Sequence, residues 1–375
     1  MLATHPNPGR KINIMVVDDS AIARGLIVRR LAEQSNFHIV ASLANGEMAV
    51  NTIEHHAVDV VVLDIEMPVM DGMTALPLLL AKAPGVRVIM ASTLTLRNAE
   101  ISMRALEMGA SDYVPKPSMR EDKNALEKFY HELVSKISAL GYSTASPAAR
   151  APVSPQAESV SALPTLPHMP PLPAAMTYPA LRPKALAIAS STGGPQALME
   201  IFRALQGRLE EVPIFVTQHM PRTFTKILAG HLTQACGREC HEAVQGERVV
   251  KGGVYVAPGD YHMVPVREGS DVFITLNQEP EVNYCRPAAD PMIEGLVHAY
   301  GKHLMLLVLT GMGHDGLMGA RKLFDTGGTV VAQDKDSCVV WGMPKAVVEH
   351  NLCKAVLPLS KIPAYLAQAF GGDAS

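Results

Sequence analysis

Ile14-Met15-Val16-Val17-Asp18-Asp19-Ser20 is a short apolar run that ends abruptly in two carboxylates and a hydroxyl. Four apolar residues bounded by turn formers read as a buried strand, and Ser20 can cap a following helix. The same grammar recurs downstream. Strands are expected at His38–Ala41, Val60–Leu63, Val86–Ala91 and near Tyr113. Helical patterns lie between and after them, at Gly46–Glu54, Met73–Lys82, Arg97–Met108 and Lys123–Leu140. Five consecutive strand–helix units predict a doubly wound parallel sheet over about residues 11–140.

Beyond it, Ser143–Pro183 loses apolar periodicity and holds ten of the chain's 28 prolines. Proline withholds a backbone donor and forces its predecessor into extended conformations, so 141–183 reads as a linker. After it, Ala185–Ala189, Ile214–Thr217 and Met305–Thr310 read as buried strands leading into helices, and Val249–Leu276 as one or more antiparallel hairpins. The expectation for 184–370 is a second doubly wound α/β domain with an antiparallel β insertion.

Composition narrows the function. At 375 residues with 48% hydrophobic, 18% charged and a net charge of -3, the chain is globular rather than disordered. It lacks the basic excess that non-specific nucleic-acid binding needs. The apolar run Leu304–Leu309 is far too short to span a bilayer, and residues 1–11 show no secretory signal. Five cysteines without metal-like pairing fit reduced thiols in a cytoplasm. No nucleic acid and no membrane insertion are expected.

Asp18, Asp19 and Asp64 follow the first and third strands, so they meet at the carboxyl edge of the sheet. Three gathered carboxylates repel one another unless a cation sits among them, and hard oxygen donors suit Mg²⁺. Ser92 and Lys116 close the fourth and fifth strands, a hydroxyl and an ammonium able to hold phosphoryl oxygens. Taken singly, each of these groups is equally a helix cap or turn former. Together, Val16-Val17-Asp18-Asp19-Ser20, Leu63-Asp64-Ile65-Glu66-Met67-Pro68, Met70-Asp71-Gly72, Ala91-Ser92-Thr93 and Lys116-Pro117 resemble the response-regulator receiver domain. The resemblance implies Asp64 as phosphoacceptor, with Asp18, Asp19, Asp64 and the Glu66 backbone carbonyl serving Mg²⁺. It also implies Ser92, Lys116 and Tyr113 as the switch residues, with Thr93 an adjacent competitor for the role of Ser92. A phospho-histidine kinase of the chemotaxis type would be the phosphodonor.

In the second half, Ala187-Ile188-Ala189-Ser190-Ser191-Thr192-Gly193-Gly194-Pro195 runs from a strand through a small-residue turn into a helix. Such a turn can cradle an anion, present a serine beside backbone donors, or simply cap the helix. Gln218-His219-Met220-Pro221 and Thr310-Gly311-Met312-Gly313-His314-Asp315-Gly316 end two other strands. Serine, histidine and aspartate at three strand ends meet the needs of an activated alcohol: a base for its proton and a carboxylate to orient that base. The order Ser…His…Asp and the lack of a Gly-x-Ser-x-Gly elbow disfavour the α/β-hydrolase fold.

These motifs, with Val256-Ala257-Pro258-Gly259, Arg286-Pro287 and Asp290, resemble the catalytic domain of the CheB family of chemotaxis protein-glutamate methylesterases. The resemblance implies a Ser191–His219–Asp315 triad, with oxyanion donors at the Thr192 and Met312 backbone. It implies no cofactor in this domain. The substrates would be γ-glutamyl methyl esters on the cytoplasmic domains of methyl-accepting chemoreceptors, with methanol released and specific receptor glutamines also deamidated. Phosphorylation of Asp64 would relieve a block by the receiver. Three positions depart from the usual pattern: Ser190 beside the nucleophile, His314 in place of Asn, and Ala288 in place of Ser. Three rivals stand beside this reading: a non-catalytic adaptor, a hydrolase serving a different receptor system, and a receiver-driven transcription factor, which would need a basic surface and a helix-turn-helix that the sequence does not show.

Overall fold

A computed structural model describes residues 10–93, 95–117, 123–143 and 181–371. Most of the linker expected at 141–183 lies outside the described residues. The first half runs β1 (Ile12–Val17), α1 (Ala21–Ala32), β2 (Phe37–Leu43), α2 (Gly46–Thr52), β3 (Val60–Asp64), α3 (Gly72–Lys82), β4 (Arg87–Thr93), α4 (Leu96–Glu107), β5 (Asp112–Lys116) and α5 (Lys123–Ser143). Its five strands form a parallel sheet in the order β2-β1-β3-β4-β5. Near-continuous burial of β1, β3 and β4 is what helices on both faces require.

The second half continues β6 (Ala185–Ser190), α6 (Gly194–Ala204), β7 (Ile214–Gln218), α7 (Arg222–Cys236), β8 (Cys240–Glu242), β9 (Val254–Val256), β10 (His262–Glu268) and β11 (Asp271–Asn277). It closes with α8 (Ala289–Tyr300), β12 (Leu304–Val308), α9 (Leu317–Asp325), β13 (Thr329–Gln333), α10 (Met343–Glu349), β14 (Ala355–Leu357) and α11 (Ile362–Ala369). Seven parallel strands stand in the order β14-β13-β12-β6-β7-β9-β8. The order departs from β6 in both directions, so the β6/β12 boundary is a topological switch point, where crevices open at strand C-termini.

Only part of Val249–Leu276 is the expected hairpin. β10 and β11 pair antiparallel, whereas Val254–Val256 enters the main sheet parallel to β7. Gly252 and Gly253 before it form the loop that delivers this fully buried strand. Two of the five cysteines are not scattered: the Cys236 and Cys240 sulfurs lie 3.6 Å apart at the end of α7. Among the described residues, no helix is long and apolar enough to cross a membrane.

The two sheets are not independent. α4 of the first packs on α6 and α7 of the second. Gln196 donates to the carbonyls of Leu106 and Ala110, both at 2.6 Å, and His231 meets Glu107 at 2.9 Å. The apolar core is continuous across this junction, running from Met103 and Leu106 to Phe202, Phe224 and Leu228.

Candidate active site and phosphoacceptor pocket

β6 ends at Ser190, whose side chain continues the strand's inward face. It is wholly buried, and its hydroxyl donates to Gln218 Oε1 at 2.7 Å. Ser191, the next residue, lies at the partly open lip of the crevice. Of the two adjacent hydroxyls, Ser191 is therefore the accessible one. The chain then turns through Gly193 at φ +75°, a left-handed position where a Cβ would also stand 2.5 Å from the Val339 side chain. Glycine here lets α6 start directly beneath Ser191. Across the crevice, a Cβ on Gly311 would fall 2.9 Å from that of Ser191, so the 310–312 loop approaches Ser191 closely only because it carries glycine.

His219 follows β7, and its Nε2 is 2.7 Å from Asp315 Oδ2. Asp315 is 2% exposed and is held from several sides. It accepts the N–H groups of Ala289 (2.6 Å), Asp290 (3.2 Å) and Gly316 (2.9 Å), and Asn283 Nδ2 at 3.3 Å. Two of these donors are the first N–H groups of α8, which a helix cannot satisfy internally. Burial alone would raise the Asp315 carboxyl. The bond to His219, its charge and the α8 N–H groups outweigh burial and hold Asp315 below the ordinary carboxylate range. Burial also disfavours a charged His219, but the Cys285 sulfur and Asp315 overcome it and push the imidazole up to about 10. Cys285 Sγ lies 3.4 Å from His219 Nδ1. Among the described residues, no hydrogen bond joins Ser191 to His219, and the N–H groups of Thr192 and Met312 have no partner.

At the edge of the first sheet, one oxygen from each of Asp18, Asp19 and Asp64 falls within 4.8 Å of the others. Lys116 Nζ bridges Asp18 at 2.7 Å and Asp64 at 2.8 Å. Burial raises the Asp64 carboxyl above its usual range, against the pull of Lys116, and the neighbouring charge of Asp18 adds to the rise. Gly72 keeps this pocket open, since a Cβ would meet the Asp64 carbonyl at 2.1 Å. Asp19 and Glu66 line a cleft together with Arg97 and Arg104 of α4. Ser92 is 1% exposed and shares a hydrogen bond with Ser102 at 3.0 Å, while Thr93 is exposed and bonded to Asn98. Tyr113 is buried against the second sheet's α7, with its ring 4.1 Å from that of Phe224.

Residues 186–366 match the family described as CheB methylesterase, and residues 14–127 match the response regulator receiver domain. A protein-glutamate methylesterase/protein-glutamine glutaminase of Azospirillum brasilense is 47% identical over 97% of this chain and 95% of its own length. One from Rhodospirillum rubrum, of the same description, is 48% identical over 98% and 97%. The chain belongs to this methylesterase family. A solved Thermotoga maritima CheB methylesterase catalytic domain is 41% identical over 50% of this chain and 99% of its own, with a TM-score of 0.48.

Within this methylesterase-family chain, sequence reasoning missed the residues that surround the His219–Asp315 pair. Cys285, Asn283 and the start of α8 arrive from a segment 64 or more positions from His219, and nothing local in Val282-Asn283-Tyr284-Cys285 announces their destination. Asp290 was visible as a motif residue but not as a neighbour of Asp315. It is buried, accepts the Gly319 N–H at 2.7 Å, and is pushed up to about 6 by burial and by the charge of Asp315.

Proposed function

We propose that this chain is a phosphorylation-gated protein-glutamate methylesterase and protein-glutamine glutaminase acting on the cytoplasmic domains of chemoreceptors. The observation that carries the reading is the His219–Asp315 bond of 2.7 Å at a sheet switch point beside the accessible Ser191. The receiver occupies 11–140 and the esterase 184–370, joined by the Pro-rich 141–183, in a cytoplasmic protein.

In the reaction, Ser191 Oγ attacks the γ-carbonyl carbon of a glutamyl methyl ester while His219 takes the hydroxyl proton. Because Nε2 faces Asp315, Nδ1 is the nitrogen that must serve Ser191. The N–H groups of Thr192 and Met312 are unpaired among the described residues and are suited to hold the developing oxyanion. His219 returns the proton to the departing methoxide, releasing methanol and leaving an acyl-serine. It next draws a proton from water, which attacks the acyl carbon and yields glutamate and free Ser191. With a glutamine side chain the same sequence releases ammonia. Asp315 keeps Nε2 protonated and stabilises the imidazolium that forms.

Asp18, Asp19, Asp64 and the Glu66 carbonyl form an all-oxygen donor set suited to Mg²⁺. When bound, Mg²⁺ would offset the carboxylate repulsion and orient a phosphodonor's oxygens. Asp64 accepts the phosphoryl group from a chemotaxis histidine kinase, after which Ser92 leaves Ser102 and, with Lys116, holds the new oxygens. That inward movement loosens the α4–β5 face from α6 and α7, and the accessible fraction of the crevice rises. The test is methanol release from a methylated receptor fragment by wild type, Ser191→Ala and Asp64→Ala, with and without Mg²⁺ and a small phosphodonor. Release is expected to vanish in Ser191→Ala and to respond to the donor only where Asp64 is intact. Release that persists in Ser191→Ala overturns the reading.

A further inference from the structure

The segment between β11 and α8 folds back on itself at Val282–Cys285. Val282 and Cys285 exchange both backbone hydrogen bonds, at 3.1 and 2.9 Å, around a two-residue turn. Both turn residues are left-handed, Asn283 at φ +53° and Tyr284 at φ +64°. That is the geometry of a tight type I′ hairpin, unusual for a residue as bulky as tyrosine. Such a conformation persists where contacts on several sides fix it.

Those contacts divide between the two halves of the chain. Glu281 pairs with Lys128 of α5 at 2.8 Å, and the ring of Tyr284 lies 6.1 Å from His131, also on α5. Tyr284 is 88% exposed even with α5 in place, so its ring only grazes α5 and the Glu281–Lys128 pair is the firmer link. The other two side chains face the crevice. Asn283 Nδ2 reaches Asp315 and Asp290, and Cys285 Sγ reaches His219 Nδ1. With Nε2 on Asp315, both ring nitrogens of His219 are engaged, and neither is available to Ser191.

We propose that the 281–285 hairpin is the arm through which the receiver controls the catalytic histidine, with Cys285 as a positioning residue that occupies His219 Nδ1 while α5 is docked. The inference rests on the assignment of His219 as the base for Ser191. In the docked state His219 Nδ1 is occupied by Cys285 and Nε2 by Asp315, so Ser191 has no free base. When α5 withdraws, the hairpin loses Lys128 and His131, Cys285 moves off, and Nδ1 becomes free. The receiver thus switches the chemistry of the site in addition to covering it, and a substrate too small to be excluded by the receiver is also turned over slowly in the docked state.

The full-length chain tests this with a short peptide carrying a glutamate γ-methyl ester, assayed with and without a small phosphodonor. Cys285→Ala is expected to raise kcat without donor by about two- to tenfold, the effect of one ordinary hydrogen bond on an equilibrium, and to leave KM and the phosphorylated kcat near wild type. Cys285→Ser keeps a hydrogen-bonding partner for Nδ1 and is expected to restore the low kcat. The groups facing His219 are Cys285 and Asp315, with Asp290 behind Asp315, so the acidic limb of the unphosphorylated kcat profile should move to lower pH in Cys285→Ala alone. Lys128→Glu should raise the basal rate as well, within about fivefold for an exposed pair, and adding Glu281→Lys should reverse it. A Cys285→Ala chain whose kcat is unchanged, or falls equally with and without donor, overturns the proposal. So does a Lys128→Glu chain indistinguishable from wild type. Loss of all turnover in Ser191→Ala alongside such a result would retain the esterase and discard only the arm.

Discussion

The ring of Tyr113 lies parallel to that of Phe224, with centroids 4.1 Å apart and planes inclined by 10°. Tyr113 is the aromatic that the receiver resemblance places in the switch set, and Phe224 sits in the first turn of α7, five residues after His219. On that assignment, the residue expected to change its surroundings on phosphorylation of Asp64 lies in the seam between the two sheets. An aromatic pair adds about 0.5–1.5 kcal/mol beyond its buried area, so its loss should shift the docking equilibrium by about two- to tenfold. Tyr113→Ala is expected to raise methanol release without phosphodonor by that factor and to blunt the response to donor. Unchanged basal release would remove the stack from the gate.

The adjacent hydroxyls of Ser190 and Ser191 have separable effects. Ser190 is buried with its hydroxyl on Gln218, so Ser190→Ala should lower stability by about 1 kcal/mol while retaining most turnover. Among the described residues Ser191 has no such bond, so Ser191→Ala, which removes the proposed nucleophile, should abolish turnover with little change in unfolding midpoint. Chemical denaturation and methanol release on both variants check the pair. Comparable activity in Ser191→Ala would reassign the nucleophile.

This contrast marks what the sequence could carry. The ends of β1, β3, β6, β7 and β12 are legible because an apolar run that stops at a polar residue fixes both the strand and the edge where its last side chains gather. Which of Ser190 and Ser191 faces the crevice depends on the exit angle of one strand, which depends in turn on Gly193 packing against Val339. The α8 cradle around Asp315 and the thiol on His219 arise from tertiary packing of a distant hairpin. β13 (Thr329–Gln333) and β14 (Ala355–Leu357) are not anticipated by the sequence reading, and β14 spans only three residues. Their burial comes from neighbours in the sheet rather than from local pattern.

Lys116 neutralises two buried carboxylates at once, at 2.7 and 2.8 Å. Lys116→Met leaves Asp18 and Asp64 facing each other without a cation and should destabilise the receiver by about 3–5 kcal/mol in the absence of metal. On the proposed metal assignment, Mg²⁺ favours the folded carboxylate cluster over the unfolded chain and should recover a large part of this loss. Thermal unfolding with Mg²⁺ and with a chelator measures both effects. A melting temperature insensitive to Mg²⁺ in wild type and in the variant would deny the metal assignment.

Asp290 tests the linkage between the α8 cradle and pH. Its folded carboxyl is pushed up to about 6, by burial first and then by the charge of Asp315. A carboxyl whose folded pKa exceeds its unfolded value favours folding while it stays protonated, and that advantage is lost as pH rises from its unfolded value of 3.8 through about 6. Above pH 6 the chain holds two ionised carboxylates, Asp290 and Asp315, in one buried site. Asp290→Asn removes one charge and keeps an oxygen for the Gly319 N–H, bonded at 2.7 Å. The variant should therefore gain stability relative to wild type between pH 5 and pH 8, measured as the difference in denaturation midpoint at each pH. It should also shift the low-pH limb of turnover only slightly, since Asp315 and His219 retain their bond. A stability difference that is flat across this range would mean that Asp290 is already ionised at pH 5 and that the α8 amides, rather than protonation, carry its burial.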